Sequence, residues 1–484
     1  MKFARLPAIL GLTGMLTLGC AVQGYKPAPL IPSETASILE ARTLDDPGLK
    51  RFIAESVGHQ ITGPPTAWDL RLLTLAAFYF NPDLETARVQ AAVAQAAIVT
   101  AKMRPNPTLS VSPGIPSPYL FDLGFAIPVV TAGKRQYQIE TAKSLSEAAR
   151  LNLAQVAWTV RSGVRAALLN VLVAERSEKL WQTEERLQAE RAARLAKRQE
   201  VGEIARPAVD SARIDLLNSQ LAARAAEGRA AQTRVALAAA IGIPVTGLRD
   251  ARFAWPGFDQ LPPVHSPSAQ QIQRDAVLNR LDVRQALAQY SAAETALQFQ
   301  IARQHPNFQI GPGYQFEEGH SFFMPTLSVT LPLFNRNQGP IAEAEARRKQ
   351  AADNLLATQA RVIAESERAL AQYQAAYSQL QDAQQALENL RQVQEPMSRQ
   401  QVALGEADRL SLNTVLLQGS AAAQAWLNSI FQAQAALGAL EGTIQKPLEP
   451  GDSVPLVLPA PDSGQQSNRK SAPWRALAHK GGKP

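Results

Sequence analysis

The sequence predicts a mainly α-helical protein in which one unit, long helices interrupted by an amphipathic β-hairpin, is built twice. Three observations predict this fold. A Pro- and Asn-containing segment opens a hairpin in each half of the chain, at 104–107 and at 305–307. A long alanine-rich helical stretch follows each hairpin and ends at Gly-Glu, at Gly202 and Gly405. The two copies are about 200 residues apart, so duplication rather than several ordinary domains accounts for the 484 residues.

Composition and charge narrow the possible functions. Hydrophobic residues make up 46% of the chain but aromatic residues only 6%, and much of the apolar fraction is alanine, which suits closely packed helices. The net charge of +7 comes from Lys2 and Arg5 in the leader and from five basic residues in the acid-free C-terminal segment 463–484. The body from 20 to 462 is therefore neutral. Nucleic-acid binding loses its main electrostatic support, and no nucleic-acid partner is predicted.

The N-terminus indicates export. Residues 1–19 are predicted to be a lipoprotein signal peptide, because the apolar run 8–18 follows two basic residues and is too short to span a bilayer. Cys20 is the only cysteine, and its position after Leu-Thr-Leu-Gly resembles a bacterial lipobox. Acylated Cys20 would anchor the protein in membrane lipid. The alternative is an ordinary signal peptide with a chance cysteine, which Thr17 favours because Leu is commoner there.

The elements follow from helical periodicity and from breakers. Pro105 ends the first helix, the glycines of the two Gly-Glu pairs end the long helices, and Pro396 is expected to kink the second long helix. The predicted order is an extended N-terminal segment 20–66, a first repeat 67–243 (helix 68–102, hairpin 107–129, long helix 133–202, return helix 207–241), a linker 244–268, a second repeat 269–446 (helix 270–303, hairpin 307–333, long helix 341–400, return helix 409–443) and a flexible basic tail 447–484.

The hairpins alternate apolar and polar residues. Between 323 and 333 the odd positions are apolar, whereas Thr326, Ser328 and Thr330 are polar. This pattern is typical of strands that face lipid on one side and water on the other, and also of strands in a soluble sandwich. Four strands cannot close a barrel, and open edges are not tolerated in hydrocarbon, so a membrane barrel requires several copies of the chain. The pattern alone permits two, three or four copies.

Four short stretches, in order, carry a resemblance to a known family. They are Arg104-Pro-Asn-Pro-Thr-Leu-Ser, Gly202-Glu-Ile-Ala-Arg-Pro, Pro332-Leu-Phe-Asn-Arg-Asn-Gln-Gly and Gly405-Glu-Ala-Asp-Arg-Leu. From about 68 to 446 the chain resembles the TolC-like outer membrane factors, and it looks most similar to the outer membrane component of cobalt-zinc-cadmium efflux systems.

The resemblance implies a homotrimer with a twelve-stranded β-barrel in the outer membrane of a Gram-negative bacterium, continued into the periplasm by a twelve-helix coiled-coil α-barrel. It also implies a periplasmic adaptor and an inner-membrane RND-type pump as partners. Heavy-metal cations are the expected cargo, and organic compounds or antibiotics are the alternative.

In such a duct the two Gly-Glu turns lie farthest from the outer membrane and form the entrance and the adaptor contact. The predicted tip residues are Gly202, Glu203, Arg206, Gly405, Glu406, Asp408 and Arg409, with Asp210 as a further pore or gate charge. One interpretation is that these charges are solvated turn residues and helix caps. The other is that some of them pair between helices to hold the entrance shut, and that the acidic ones favour cations.

Other functional classes fit less well. The five histidines are scattered without metal-ligand spacing, and no catalytic motif appears, so neither an enzyme nor a cofactor or metal site is predicted. A non-transporting coiled-coil lipoprotein would not need two amphipathic hairpins. A periplasmic adaptor has one helical hairpin flanked by β domains, unlike this duplicated chain.

Overall fold

The computed structural model describes residues 24–57, 67–114, 120–263 and 268–448. Within this part, residues 43–448 belong to one compact unit and residues 24–42 to another. The predicted signal peptide, Cys20 and all but the first two residues of the predicted tail 447–484 lie outside the described residues.

The described residues contain eleven α-helices and four strands. They are α1 (Pro32–Glu40), α2 (Pro47–Val57), α3 (Leu70–Phe80), α4 (Pro82–Lys102), β1 (Thr108–Pro113), β2 (Leu120–Val129), α5 (Lys134–Glu200), α6 (Arg206–Ile241), α7 (Ala269–Asn279), α8 (Leu281–Ala302), β3 (Phe308–Glu317), β4 (His320–Val329), α9 (Gln338–Asn389), α10 (Glu395–Leu404) and α11 (Arg409–Ile444). A 3₁₀ turn, Val245–Leu248, follows α6, and a π-helical turn, Leu390–Gln394, joins α9 to α10.

The N-terminal segment is not wholly extended, so the prediction for 20–66 is wrong for α1 and α2. Both helices begin at a proline, Pro32 and Pro47. Proline in the first helical turn loses no hydrogen bond and is already held near the helical φ, so these prolines start helices rather than prevent them. The Leu49 N–H donates to the Asp46 carboxylate at 2.9 Å, and α2 packs on α3.

Each helix before a hairpin is broken, which corrects the single helices predicted for 68–102 and 270–303. The first breaks at Asn81, whose Oδ1 accepts from the N–H groups of Asp83 and Leu84. The second breaks at Arg280, whose extended backbone separates α7 from α8. The apolar periodicity continues across both breaks and therefore hid them, although Pro82 was a signal for the first.

The long helices agree with the prediction. Helix α5 runs 67 residues without a break at Gly163, which at 1.5 Å per residue is about 100 Å. The irregularity expected near Pro396 is present as the π-helical turn, in which the Glu395 N–H bonds to the Leu390 carbonyl. Proline supplies no N–H to the carbonyl four residues earlier, and a wider turn accommodates that loss.

Helix α5 lies at the centre of the helical packing. It packs against α4 and α8 in its first half, against α11 from Arg161 onward and against α6 in its second half, and it also contacts α3. Helix α9 packs against α8 and α11. By length and composition α5 alone among the described helices could cross a bilayer, but a core helix with five neighbours meets the same criterion. Helices α4 and α6 form one edge of the arrangement, and α9 forms the other.

The two hairpins form one antiparallel sheet in the order β1-β2-β3-β4. The β2–β3 pairing joins the two repeats, and β1 and β4 are the edges. The first hairpin agrees with the predicted 107–129 to within a residue. The second ends at Val329, short of the predicted 333.

Candidate functional site: the amphipathic sheet and the helical tips

The register of the sheet places the apolar residues of all four strands on one face. Partners across the strands include Val111 with Leu123, Leu123 with Tyr314, and Tyr314 with Phe323. The same face carries Leu109, Phe121, Phe125, Ile127, Ile310, Leu327 and Val329. Because opposing residues share a face, this apolar surface is continuous across the sheet.

The apolar face is exposed, and in β2 it is more exposed than the polar face. In β4, Phe323 is 73% exposed and Leu327 is 67% exposed. In β2, Leu123 and Ile127 are exposed, whereas Asp122 and Gly124 on the other face are half-buried. A soluble sandwich buries its apolar face against a second sheet, so the exposure argues against that alternative. Phe322 and Met324 depart from the pattern because they share the face of Asp122 and Gln315. One face suits hydrocarbon and the other suits water.

The junction between the sheet and the helices is fastened by a buried lysine. The Lys134 Nζ donates to the Asn307 side-chain oxygen and to the His305 carbonyl, each at 2.5 Å. The Thr131 hydroxyl donates to the Pro306 carbonyl at 2.7 Å. Burial lowers the pKa of Lys134 from its ordinary value, and the nearby positive charge of Arg303 lowers it further. These bonds connect the end of β2 to the start of β3, and thus one repeat to the other.

The predicted glycine turns are present at the tips of the long helices. Gly202 and Gly405 have φ of +80° and +77°, the left-handed region that favours glycine. After each glycine, a backbone N–H donates a hydrogen bond to a carbonyl near the end of the helix. The Glu203 N–H donates to the Arg198 carbonyl and the Glu406 N–H to the Gln401 carbonyl, both at 2.9 Å. The bonds satisfy carbonyls that a helix end otherwise leaves free, so both tips are closed Schellman turns.

One ion pair joins the two tips within the chain. The Arg198 guanidinium lies 2.6 Å from the Asp408 carboxylate, each side chain a little over one-third exposed. Asp408 also caps α11, accepting from the Ser411 N–H at 2.7 Å and from the Ser411 hydroxyl at 2.8 Å. These bonds, followed by the bond from Arg198, lower the pKa of Asp408 to about 2. Sequence reasoning found Asp408 but missed Arg198, a basic residue in the last turn of α5.

The other predicted tip charges make local contacts or none. Arg206 lies 3.6 Å from Asp210 in its own helix, and Glu203 lies 3.7 Å from Arg198. Glu406 and Arg409 are exposed and form no ion pair among the described residues. Apart from Asp408, the charged tip residues therefore fit the interpretation as solvated turn charges.

Apolar and polar contacts add to the Arg198–Asp408 pair. Leu410 packs against a small cluster at the first tip, formed by Ala192, Leu195, Val209 and Ala212. Further along the same helices, the Asn413 side chain donates to the Leu187 carbonyl at 3.0 Å, and the Ser420 hydroxyl bonds to Glu184 at 3.1 Å. The tips of the two repeats are thus held together along the α5–α11 contact.

An exposed amphipathic sheet continued by long paired helices is the architecture of outer membrane channels that extend as a helical barrel. A family model described as outer membrane efflux protein matches residues 77–243. Cobalt-zinc-cadmium resistance protein CzcC of Cupriavidus metallidurans is 25% identical over 283 residues, covering 58% of this chain and 66% of that protein, just under two thirds of its length.

Solved channel structures share the fold. CusC matches with a TM-score of 0.63 at 18% identity, covering 88% of this chain and 100% of CusC. VceC of Vibrio cholerae matches with a TM-score of 0.63 at 17% identity, covering 78% and 97%. The CmeC channel of Campylobacter jejuni matches with a TM-score of 0.62 at 16% identity, covering 78% and 85%. The chain therefore has the fold of these outer membrane channels, and its residues 77–243 match the outer membrane efflux protein family.

Proposed function

We propose that the protein is the outer membrane channel of a tripartite efflux pump, a passive exit duct and not an enzyme. A periplasmic adaptor and an inner-membrane RND-type pump deliver its cargo. The observation that carries the proposal is the apolar face, exposed and in register across all four strands and joined directly to helices of up to about 100 Å. Such a chain supplies both a membrane wall and a periplasmic conduit.

The functional unit is a homotrimer. Strands β1 and β4 leave open edges, which hydrocarbon does not tolerate, so they pair with other copies. The helices support the same assembly. Return helix α11 packs on its own long helix, α9, and on the long helix of the preceding repeat, α5. Helix α6 is the return helix of the first repeat and packs on its own long helix, α5. By equivalence with α11, its second contact is with the long helix α9 of another copy. Three copies give twelve strands.

The channel sits in the outer membrane, with its helices extending into the periplasm and Cys20 acylated as a second anchor. The apolar strands support the first part and the lipobox-like leader supports the second. The Cys20→Ser variant tests the anchor. Radioactive palmitate is expected to label the wild-type protein only, whereas a labelled variant would contradict acylation at Cys20. The variant should still reach the membrane, because the barrel anchors it independently.

The tips at Gly202 and Gly405 form the entrance and the adaptor contact. They lie at the opposite end of the long helices from the sheet. The six predicted tip charges and their two ion-pair partners comprise four basic and four acidic residues, so the net charge of this set is zero. Cation preference would depend on Glu203 and Glu406, the carboxylates least engaged by arginine. The basic residues are Arg198, Arg206, Arg213 and Arg409, and the acidic ones are Glu203, Asp210, Glu406 and Asp408.

Heavy-metal cations are the proposed cargo, supported by the similarity to CzcC, a protein named for cobalt, zinc and cadmium resistance. The test is deletion of the gene, followed by growth in zinc, cobalt and cadmium salts and, in parallel, in organic toxicants. Loss of metal resistance, restored by the wild-type gene but not by a Leu123→Arg barrel variant, is expected. Sensitivity to organic compounds alone would overturn the cargo, and no change in either would overturn the efflux role.

A further inference from the structure

Strand β2 is longer than its own hairpin requires. The β1–β2 ladder ends at the pair Thr108 with Ala126, yet β2 continues through Ile127, Pro128 and Val129. These last three residues pair only with β3, in the pairs Ile127 with Ile310 and Val129 with Phe308. The end of β2 is thus a strand because the other repeat supplies a partner.

The equivalent segment of the second repeat has no such partner among the residues that the structure describes. Both long helices begin after a residue with left-handed backbone, Gly133 at φ +70° and Asn337 at φ +64°, and a proline precedes each by five residues. Leu331-Pro332-Leu333 therefore corresponds to Ile127-Pro128-Val129. In place of a ladder, the Leu333 N–H bonds locally to the Leu331 carbonyl at 2.9 Å. Leu331 and Leu333 are 66% and 70% exposed.

In the first repeat the partner of this segment is the start of β3. The duplication makes the start of β1, at the other edge of the sheet, equivalent to the start of β3. His305-Pro306-Asn307-Phe308 leads into β3, and Arg104-Pro105-Asn106-Pro107 leads into β1 at the corresponding place. Pro107 thus corresponds to Phe308, and Leu109 to Ile310. The pairs between the repeats, Val129 with Phe308 and Ile127 with Ile310, translate into Leu333 with Pro107 and Leu331 with Leu109.

We infer that Leu331-Pro332-Leu333 becomes the end of β4 by pairing with residues 107–109 of a second copy, in the register that sets Leu331 opposite Leu109. The inference rests on the proposed homotrimer and specifies its seam. The register continues as Thr330 with Ser110 and Val329 with Val111, so apolar residues oppose apolar ones and polar residues oppose polar ones. Matched cross-strand pairs of this kind stabilise a sheet.

The register needs a specific test, because no turn fixes a pairing between copies. A one-residue slip would oppose the two faces, but a two-residue slip would preserve both and is the competing arrangement. Directly opposed residues have Cβ atoms about 4.5–5.5 Å apart and are close to disulfide distance, whereas positions two residues away are about 7–8 Å apart. Engineered cysteines on the polar face therefore distinguish the alternatives.

The experiment uses the full-length chain in outer membranes, with Cys20→Ser removing the only native cysteine. Thr330→Cys is combined with Ser110→Cys, or with Ser112→Cys or Thr108→Cys, which are two residues away on the same face. Asp122→Cys with Gln315→Cys, a pair opposed within the chain, is the positive control. After mild oxidation, the Ser110 combination is expected to yield trimers in denaturing non-reducing gels, at least five-fold more than either shifted combination.

Amine cross-linking of the same protein separates the two levels of the proposal. Suppose that amine cross-linking gives oligomers but the disulfides form mainly with the Ser112 or Thr108 combination. That result would overturn this register and leave the channel proposal intact. The same conclusion would follow if none of the three combinations formed a disulfide while the control pair did. A protein that gives only monomers by amine cross-linking would overturn the proposed function itself. Trimers with the Ser110 combination dominant support both.

Discussion

The depth dependence of an arginine on the apolar face gives the sharpest test of the membrane assignment. Leu123 lies near the middle of β2, opposite Val111 on one side and Tyr314 on the other, with its side chain 38% exposed on the apolar face. Arginine facing lipid at mid-bilayer costs about 2–4 kcal/mol, and close to the interface only about 0–1 kcal/mol. Three copies per channel raise the cost of Leu123→Arg to roughly 6–12 kcal/mol per trimer. We therefore expect Leu123→Arg to prevent assembly.

The sheet itself supplies the controls. Gln315→Arg lies at the same depth on the polar face and should assemble normally. Val329→Arg lies on the apolar face but at the end of β4, near the helices, so its cost should fall toward the interfacial value. The assay is the yield of heat-resistant oligomer in outer membranes at equal expression. Equal yields for Leu123→Arg and Gln315→Arg would refute the face assignment, and a greater loss for Val329→Arg than for Leu123→Arg would refute the depth assignment.

Three further predictions concern the junction and the tips. Lys134→Met leaves buried oxygens without their donor and should lower the free energy of unfolding by about 1–3 kcal/mol, seen as a lower unfolding temperature of the oligomer. Lys143→Met removes only an exposed ion pair and should change the free energy of unfolding by under about 0.5 kcal/mol. Arg198→Ala removes the link between the tips and should raise single-channel conductance in planar bilayers, whereas Arg206→Ala, whose partner lies in its own helix, should not; equal conductance would exclude Arg198 from tip closure. Because the pKa of Asp408 is lowered to about 2, its stabilisation is complete above about pH 4 and is lost as the pH falls toward 2. The distance between spin labels on the two tips should therefore increase in that pH range. In Asp408→Asn, which has no carboxylate to protonate at this position, the distance should not change with pH. A wild-type distance that stays constant down to pH 2 would contradict the prediction.

Those parts of the fold that depend on local sequence could be predicted. The alternation in the hairpins, the glycine stops and the proline irregularity each act within a few residues, and β2, the turns at Gly202 and Gly405 and the π-helical turn appear where expected. The break at Asn81 was hidden because apolar periodicity continues through it. The side chain of Asn81 also donates to the Ala240 carbonyl, a contact 159 residues away that no local pattern reveals.

The candidate site shows the same limit. The glycines and Asp408 were found because a left-handed stop and a helix cap have local signatures. Arg198 was missed because its partner lies 210 residues away on the other tip. Arg409 was included because it is adjacent to Asp408 in sequence, but it is exposed and lies on the first turn of α11, where it forms no ion pair within the part of the chain described here. Sequence proximity thus predicted the capping residue but not its partner.

In the proposed trimer, duplication gives the sheet two seams of the same kind that form in different ways, and their residues differ accordingly. The seam inside the chain forms during folding of one molecule, and it contains the buried Lys134 amine with its acceptors already in the same chain. The residue corresponding to Lys134 at the outer edge is Gln338, and the neighbouring exposed side chains are Leu331, Leu333 and Phe334. A buried amine at an edge would have to lose water before its acceptors arrived from another copy, whereas apolar side chains gain free energy as soon as they are covered. A polar lock within the chain and an apolar edge between copies therefore let each protomer fold first and assemble afterwards.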